Sequence, residues 1–245
     1  MADMKTDQYS NGTYLENVKD WHTGDAAWKA ENVYNIIRKH QLSPGSIYDI
    51  GCGSGEILVH LQKKLDANVK FCGFDISPQA ISISKPKENP RLKFYNKDFL
   101  TAKISSPDLI LLLDVFEHVP DYLGFLTALR KKASWFVFHI PIDISALAVL
   151  KNSEWMIYMR ERYGHLHYFT KESALATLAD TGYEVIDYAY TDDEKINKKA
   201  PRGIKPRIVH EIRRSLYRLS PKFAVSLFRS FNIMVLARGN HGIEI

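Results

Sequence analysis

The chain has 245 residues, and 45% of them are apolar, which is typical of a globular protein and argues against extended disorder. It contains two cysteines, Cys52 and Cys72, so a disulfide framework is excluded and a reducing, cytoplasmic location is favoured. The net charge is +5, but residues 195–229 hold eleven Lys and Arg against one Glu, so the basic character belongs to one segment.

The chain begins with polar residues, 1–10, which lack the apolar core of a secretory signal. No run of about 18 apolar residues follows, so no transmembrane helix is predicted. Residues 24–40 predict a helix with Asp25 near its N-cap. Strands and helices then alternate. The strands are predicted at 46–50, 68–76, 91–99, 107–115, 134–140, 183–191 and 231–238, and the helices at 55–65, 77–84, 121–132 and 170–182.

This alternation predicts a doubly wound α/β sheet, mostly parallel, with helices on both faces and one late antiparallel strand. In such a sheet the ligand lies beyond the carboxyl ends of the strands, near the switch in strand order. The last two strands are separated by residues 192–230, whereas a hairpin loop has about 2–5 residues. We therefore predict three parts: an N-terminal helical lid segment (1–45), the sheet domain (46–191 and 231–245) and a basic helical insertion (192–230).

The stretch YDIGCGSGE, residues 48–56, places Gly51, Gly53 and Gly55 between a strand and a helix. Such a turn brings bare backbone against a ligand at the helix N-terminus. The spacing is G-x-G-x-G and not the G-x-G-x-x-G of dinucleotide-binding loops. Asp75 ends the next strand 20 residues after Gly55, where an acceptor for ribose hydroxyls is expected.

Four segments, YDIGCGSGE, FCGFDIS, NKDF and PDLILLLDVFEHVPD, resemble in order and spacing the class I S-adenosylmethionine-dependent methyltransferases. Among these, the chain is most similar to the ubiquinone/menaquinone-biosynthesis-like branch, which acts on small molecules. The resemblance covers about residues 25–190 and 231–238. It implies a Rossmann-like methyltransferase domain, S-adenosylmethionine as cofactor and S-adenosylhomocysteine as product. The reaction would be in-line methyl transfer to an O, N or C atom of a small acceptor.

The resemblance also implies which residues bind the cofactor. The loop Gly51–Gly55 would lie along the methionyl and ribose part, Asp49 would help to hold the amino group, and Asp75 would bind the ribose. Adenine would be held by Asp98 and by apolar walls, and the methyl end would be flanked by residues after the fourth strand. The implied cofactor-binding residues are Asp49, Gly51, Cys52, Gly53, Gly55, Asp75, Ile76, Asp98, Phe99, Asp114 and Val115.

Histidines supply the candidate catalytic groups on the acceptor side. His118 and His139 each follow a strand on the ligand side, and His165, His167 and Tyr168 of GHLHYF are further candidates. For each of them a purely structural hydrogen-bonding role is the alternative. The H-x-H pair could bind a metal in principle, but no Cys or acid pair lies near it in the sequence, so no metal is expected.

Two aromatic-rich segments are predicted to cover the acceptor pocket, which would suit a planar or lipophilic acceptor, although plain core packing is the alternative. One is residues 142–164. The other is N-terminal and contains Tyr14, Trp21, His22 and Trp28.

The basic insertion predicts an amphipathic helix. Ile208, Ile212, Leu216 and Leu219 recur at helical spacing, with Arg213, Arg214 and Arg218 away from them. The helix could be a packed cap with a solvated basic face, or residues 205–230 could contact an anionic membrane. An acidic substrate is a further alternative, and nucleic acid is disfavoured because no RNA-binding module is recognisable.

Two other hypotheses stay open at this point. The first is a cofactor-binding module without catalysis, or a methyltransferase acting on protein or RNA, because a cofactor site specifies neither catalysis nor the acceptor. The second is a nucleotide-binding oxidoreductase on a similar sheet, against which the glycine spacing and Asp98 argue. Composition and pattern predict no oligomeric state.

Overall fold

The computed structural model describes residues 23–150, 154–192 and 203–239. Seven strands form one sheet in the order β3-β2-β1-β4-β5-β7-β6. The strands are β1 (Ser46–Ile50), β2 (Lys70–Asp75), β3 (Leu92–Asn96), β4 (Leu109–Leu113), β5 (Trp135–Ile142), β6 (Tyr183–Asp192) and β7 (Phe231–Gly239). The α-helices are α1 (Thr23–Lys39), α2 (Glu56–Gln62), α3 (Pro78–Ser84), α4 (Tyr122–Leu129), α5 (Ala146–Leu150), α6 (Glu154–Arg162), α7 (Lys171–Asp180), α8 (Ile204–Leu219) and α9 (Pro221–Leu227).

The strand order confirms the predicted sheet. Strands β1 to β5 pair in parallel, while β7 runs antiparallel between β5 and β6. β1 pairs with β2 on one side and with β4 on the other, so the strand order reverses at β1. The carboxyl ends of β1 and β4 therefore form the switch point at which a ligand is expected.

Apolar side chains cover both faces of the sheet. Strand β4 lies inside the sheet, between β1 and β5, so all five of its residues (LILLL) are apolar and buried. Local signals set the helix starts. The Ser77 hydroxyl accepts a hydrogen bond from the Ala80 N–H, and Thr170 and Ser173 form a reciprocal capping box. The helix predicted at 55–65 is shorter in the structure, where α2 spans Glu56–Gln62.

The N-terminal helix α1 belongs to the core. Its buried side chains are Ala26, Lys29, Ala30, Val33, Ile36 and Ile37, and the helix packs against α2 and β7. The described part of the predicted lid segment is thus a layer of the domain. Tyr14, Trp21 and His22 lie outside the described residues.

The insertion contains α8 and α9, and the faces of α8 differ from a packed cap with a solvated basic face. Arg213, expected on the solvated face, is buried: its Nη2 lies 2.7 Å from Asp192 Oδ1, and its guanidinium lies 3.8 Å from the centroid of the Phe231 ring. Ile208 and Ile212, which the packed-cap alternative would turn inward, are exposed. The helix turns Arg213 inward because β6 supplies a carboxylate there. The basic residues 195–202 lie outside the described residues. Within the described ranges, no helix is both long and apolar enough to cross a membrane.

Candidate active site

The glycine loop forms the floor of the candidate site. Gly51, Gly53 and Gly55 have φ angles of 75°, 51° and 75°, in the left-handed region that glycine tolerates best. A Cβ added to Gly55 would lie 2.4 Å from the Phe94 ring, so no other residue fits this turn without displacement. The N–H groups of Gly51 and Cys52 donate to the Phe74 carbonyl, which ties the loop to β2.

Asp75 faces this loop from the end of β2. Its Oδ2 accepts from the Gly53 N–H at 2.9 Å, and its Oδ1 accepts from the Ser77 N–H at 2.8 Å. Burial raises the pKa of the Asp75 carboxyl, and these two N–H groups partly offset that rise. Ile76 follows directly and is 58% exposed, so an apolar side chain stands uncovered beside the carboxylate.

Asp49 is a buried acid with incomplete hydrogen bonding. Its side chain is 1% exposed, and Oδ2 has no hydrogen-bond partner among the described residues. Burial and the charge of Asp75 raise the pKa of Asp49 to about 8, against the opposing effect of Lys29. An uncompensated acid at this depth is costly, as expected for a group that meets a cation when a ligand binds.

A chain of polar groups, buried except for the partly exposed Asp114, follows β4. Asp114, at a strained φ of 56°, lies 2.7 Å from Lys29 Nζ and 2.5 Å from His139 Nδ1, while His139 Nε2 lies 3.0 Å from Thr191 Oγ1. His139 first, and then Lys29, hold the pKa of the Asp114 carboxyl well below its usual range, although burial alone would raise it. The chain fixes the end of β4 next to the glycine loop.

Both ring nitrogens of His139 are engaged and the residue is 1% exposed, so neither nitrogen is open to a substrate in this structure, and its catalytic role stays a prediction. Lys29 was missed by sequence reasoning. Burial by itself would lower the pKa of Lys29, but the charges of Asp114 and Asp25 outweigh this and raise it. The i,i+4 spacing of Asp25 and Lys29 was the only signal.

The remaining predicted cofactor residues differ in how exposed they are. Val115 contacts the position that a Gly51 side chain would occupy, and Asp98 is exposed, with Oδ1 accepting from the Leu100 N–H. Phe99 and Cys52 are buried in the core. Phe99 packs against Tyr48 and Phe74, and Cys52 ties the loop to β2 through its backbone N–H, with its thiol buried.

The acceptor-side histidines gather around the short helix Phe116–His118. His118 Nδ1 lies 3.1 Å from the Gly164 carbonyl oxygen, and His165 Nδ1 lies 2.7 Å from Asp143 Oδ2. His167 lies apart from this group, with Nε2 3.0 Å from the Val119 carbonyl oxygen.

The backbone N–H groups of Leu166 and His167 both donate to the Glu117 carbonyl, which holds the GHLHYF segment against the turn after β4. The Tyr168 hydroxyl donates to the Met156 carbonyl of α6. Glu117 was missed by sequence reasoning. Burial, followed by the charge of Asp114, raises the pKa of its carboxyl well above the usual range.

Comparison with known proteins identifies the family. A family model described as a methyltransferase domain matches residues 17–188, which is more than half of the chain. The chain belongs to the methyltransferase family. The prediction of a methyltransferase is confirmed, and the oxidoreductase alternative is not supported. The match does not specify the ubiquinone-like branch, which stays a prediction.

Solved structures show the same fold at low sequence identity. The magnesium protoporphyrin IX methyltransferase ChlM from Synechocystis PCC 6803, with bound S-adenosylhomocysteine, is 17% identical to this methyltransferase. The match covers 90% of this chain and 86% of ChlM, with a TM-score of 0.57. The plantazolicin methyltransferase BpumL, in complex with a monoazolic desmethylPZN analogue and S-adenosylhomocysteine, is 18% identical, with coverages of 94% and 89% and a TM-score of 0.57.

A third similar structure is a complex of the Haloferax volcanii Trm112 methyltransferase activator with a methyltransferase. It is 13% identical, with coverages of 96% and 97% and a TM-score of 0.66. At these identities the three structures establish the fold of this methyltransferase.

Proposed function

We propose that this methyltransferase transfers the methyl group of S-adenosylmethionine to an O, N or C atom of a small molecule. The observation that carries the proposal is the pairing of a left-handed glycine loop with two carboxylates, Asp49 and Asp75, at the switch point of the sheet. The loop carries no lysine, which agrees with a cofactor that has no phosphate.

Four of the predicted cofactor residues, Asp49, Asp75, Ile76 and Asp98, have assigned roles in this proposal. A carboxylate offers about four acceptor positions, and Asp75 uses two on backbone N–H groups, so two vicinal ribose hydroxyls can bind to the others. Asp49 supplies the buried negative charge for the methionine ammonium. Ile76 gives an apolar surface for the adenine, and Asp98 is exposed for its amino group.

The chemistry asks mainly for alignment. The acceptor lone pair attacks the methyl carbon, the S–C bond breaks, the sulfonium becomes a neutral thioether, and a proton leaves an O–H, N–H or C–H acceptor. Holding the two reactants in line and excluding water is worth up to about 7–11 kcal/mol in favourable cases. The chain Lys29–Asp114–His139 keeps the end of β4 in place, so that Val115 and the following turn border the methyl end.

The acceptor side supports a planar or lipophilic small molecule. Trp28 stands edge-on to His139 at 5.9 Å between ring centroids, and α5 and α6 expose several large apolar side chains: Val149, Leu150, Ile157 and Tyr158. Two proteins of this fold, ChlM and BpumL, are named as methyltransferases of magnesium protoporphyrin IX and of plantazolicin. A cytoplasmic location remains the prediction from the two cysteines.

Calorimetry with S-adenosylhomocysteine tests the cofactor site. Asp75→Asn should weaken binding by more than tenfold, whereas Asp180→Asn, on an exposed carboxylate of α7, should not change it. Wild-type affinity in Asp75→Asn would contradict the assignment. Incubation of a cell extract with methyl-labelled S-adenosylmethionine, followed by separation of small molecules, protein and RNA, then identifies the acceptor class. Label confined to protein or RNA would overturn the small-molecule acceptor.

We also propose that α8 rests on an anionic lipid surface. Ile204, Ile208, Ile212 and Leu219 form an apolar stripe, each between 48% and 82% exposed. Arg207, Arg214 and Arg218 are exposed along one side of that stripe. An apolar stripe bordered by arginines is typical of helices that lie in the plane of a membrane interface.

Sedimentation with vesicles tests this contact. The methyltransferase should sediment with vesicles of mixed phosphatidylcholine and phosphatidylserine, and less with phosphatidylcholine alone. The double variant Ile208→Asp, Ile212→Asp should lose sedimentation, whereas Leu123→Asp, at an exposed leucine of α4, should retain it. Equal sedimentation of both variants would refute the proposal.

A further inference from the structure

We propose that Glu117, His118 and His165 form a binding site for one divalent first-row transition-metal ion on the acceptor side. One ligand atom of each residue lies within 4.8 Å of the ligand atoms of the other two. Glu117 and His118 follow β4, and His165 comes from the segment before α7. Together they lie at the carboxyl edge of the sheet, next to Asp114.

The first observation is the state of Glu117. Its side chain is 0% exposed, and neither carboxylate oxygen has a hydrogen-bond partner among the described residues. His118 Nε2 lies 3.8 Å from Glu117 Oε1, which is beyond hydrogen-bond distance. A buried acid without donors stays protonated, and it ionises only where a cation compensates the charge. A metal ion between Glu117 and the two imidazoles supplies that compensation.

The second observation is how the two imidazoles are held. His165 Nδ1 lies 2.7 Å from Asp143 Oδ2, and His118 Nδ1 lies 3.1 Å from the Gly164 carbonyl oxygen. Metal-binding histidines almost always donate their second ring N–H to a carboxylate or a backbone carbonyl. Both histidines follow this pattern, which makes Nε2 the ligating nitrogen of each. The two rings meet edge to face, with centroids 5.0 Å apart.

The donor set indicates the metal class. Two imidazole nitrogens and one carboxylate suit Zn²⁺, Mn²⁺, Fe²⁺ or Co²⁺, whereas Mg²⁺ and Ca²⁺ prefer oxygen ligands alone. His167, the other half of the H-x-H pair, lies apart on the Val119 carbonyl. No metal is expected from the sequence because no acid pair lies near the H-x-H pair. The fold brings Glu117 and Asp143 to His165 from other parts of the chain, so that reason does not hold.

Three protein ligands leave coordination positions open for water or substrate. A hydroxyl bound to the metal has a lowered pKa, so the ion would favour an oxygen acceptor. The hydroxyl loses its proton to solvent, its oxygen attacks the methyl carbon as the S–C bond breaks, and a methyl ether and S-adenosylhomocysteine form. This role rests on the proposed function, whereas the binding of the metal does not.

The test uses the full-length protein after removal of metals with a chelator. Titration with Co²⁺, followed by visible absorption, should show one equivalent bound, displaced by Zn²⁺. Glu117→Gln and His165→Gln should lose this binding. Asp143→Asn should weaken it by about 10–100-fold, because Asp143 orients a ligand. His167→Gln is the matched control and should bind Co²⁺ like the wild type.

The outcomes separate the metal site from the proposed function. Failure of the wild type to bind one equivalent, or unchanged binding in Glu117→Gln and His165→Gln, would overturn the metal site. Should Glu117→Gln not fold, as judged by circular dichroism, equal affinity of Asp143→Asn and His167→Gln would overturn it instead. Binding of S-adenosylhomocysteine is measured on the same samples. Metal binding without it would contradict the proposed cofactor and leave the metal site standing.

Discussion

Replacing Asp49 with Asn removes an ionisable group that the fold holds in an unfavourable place. The pKa of Asp49 rises from 3.8 to about 8, first through burial and then through the charge of Asp75. Between these pH values the folded protein keeps a proton that the unfolded chain has lost. The stabilising contribution of this group is therefore complete below about pH 4 and is lost as the pH rises through about 8.

The size of the effect follows from the span of pH. About three units separate pH 5 from the folded-state pKa, and each unit corresponds to about 1.36 kcal/mol, so the wild type should lose on the order of 4 kcal/mol from this group between pH 5 and pH 9. Asn does not ionise. The free energy of unfolding of Asp49→Asn minus that of the wild type should therefore rise by the same order over this range.

Urea unfolding at pH 5, 7 and 9, without cofactor or metal, measures this difference. Asp66→Asn, at an exposed carboxylate after α2, is the control, and its difference from the wild type should stay constant with pH. If the Asp49→Asn and wild-type stabilities change in parallel, Asp49 does not carry a buried proton and the reasoning is refuted.

The same carboxyl predicts a proton released on cofactor binding. At pH 7 a group with a pKa of about 8 is roughly nine-tenths protonated, and an adjoining ammonium would ionise it. Binding of S-adenosylhomocysteine should then release about 0.9 proton, seen as a binding enthalpy that differs between Tris and phosphate buffers. Asp49→Asn should show no such difference. A wild-type enthalpy independent of buffer would contradict the proposed contact with the ammonium.

Three further predictions concern stability. Lys29→Met leaves the carboxylates of Asp25 and Asp114 without their buried cation. The free energy of unfolding, measured in urea at pH 7, should fall by about 3–5 kcal/mol. A fall of less than about 1 kcal/mol would contradict the ion-pair role. Arg213→Leu breaks a buried ion pair and should lower the free energy of unfolding by about 3–5 kcal/mol. Arg214 is the next residue and is exposed, so Arg214→Leu should change the free energy of unfolding by less than about 0.5 kcal/mol. Equal losses in the two variants would refute the placement of α8. Gly55→Ala places a side chain at a left-handed φ and against the Phe94 ring, so it should lower the midpoint of thermal unfolding and weaken S-adenosylhomocysteine binding together. An unchanged midpoint would show that the loop tolerates a side chain.

The local patterns of the sequence determined the elements and the floor of the site. Strand and helix periodicity, the caps Ser77 and Thr170, and three glycines before α2 depend on neighbours within a few residues. The meeting of Asp49 and Asp75 was also predictable, because parallel strands bring their carboxyl ends to one edge. The basic helix of the insertion was predictable as a helix, although its inward face was not.

Tertiary structure alone decided which polar groups meet inside the molecule. Lys29 reaches Asp114 across 85 positions of sequence, Asp143 reaches His165, and Arg213 turns inward to Asp192. A buried charge is tolerated only where an opposite charge or a hydrogen-bond partner lies within a few ångströms, and folding supplies that partner from any distance along the chain. From the sequence, Lys29 and Arg213 are only polar positions in predicted helices, and Glu117 is only an acid in a turn. Only the packing of helices and strand ends around them shows which charges are paired and which still require a cation.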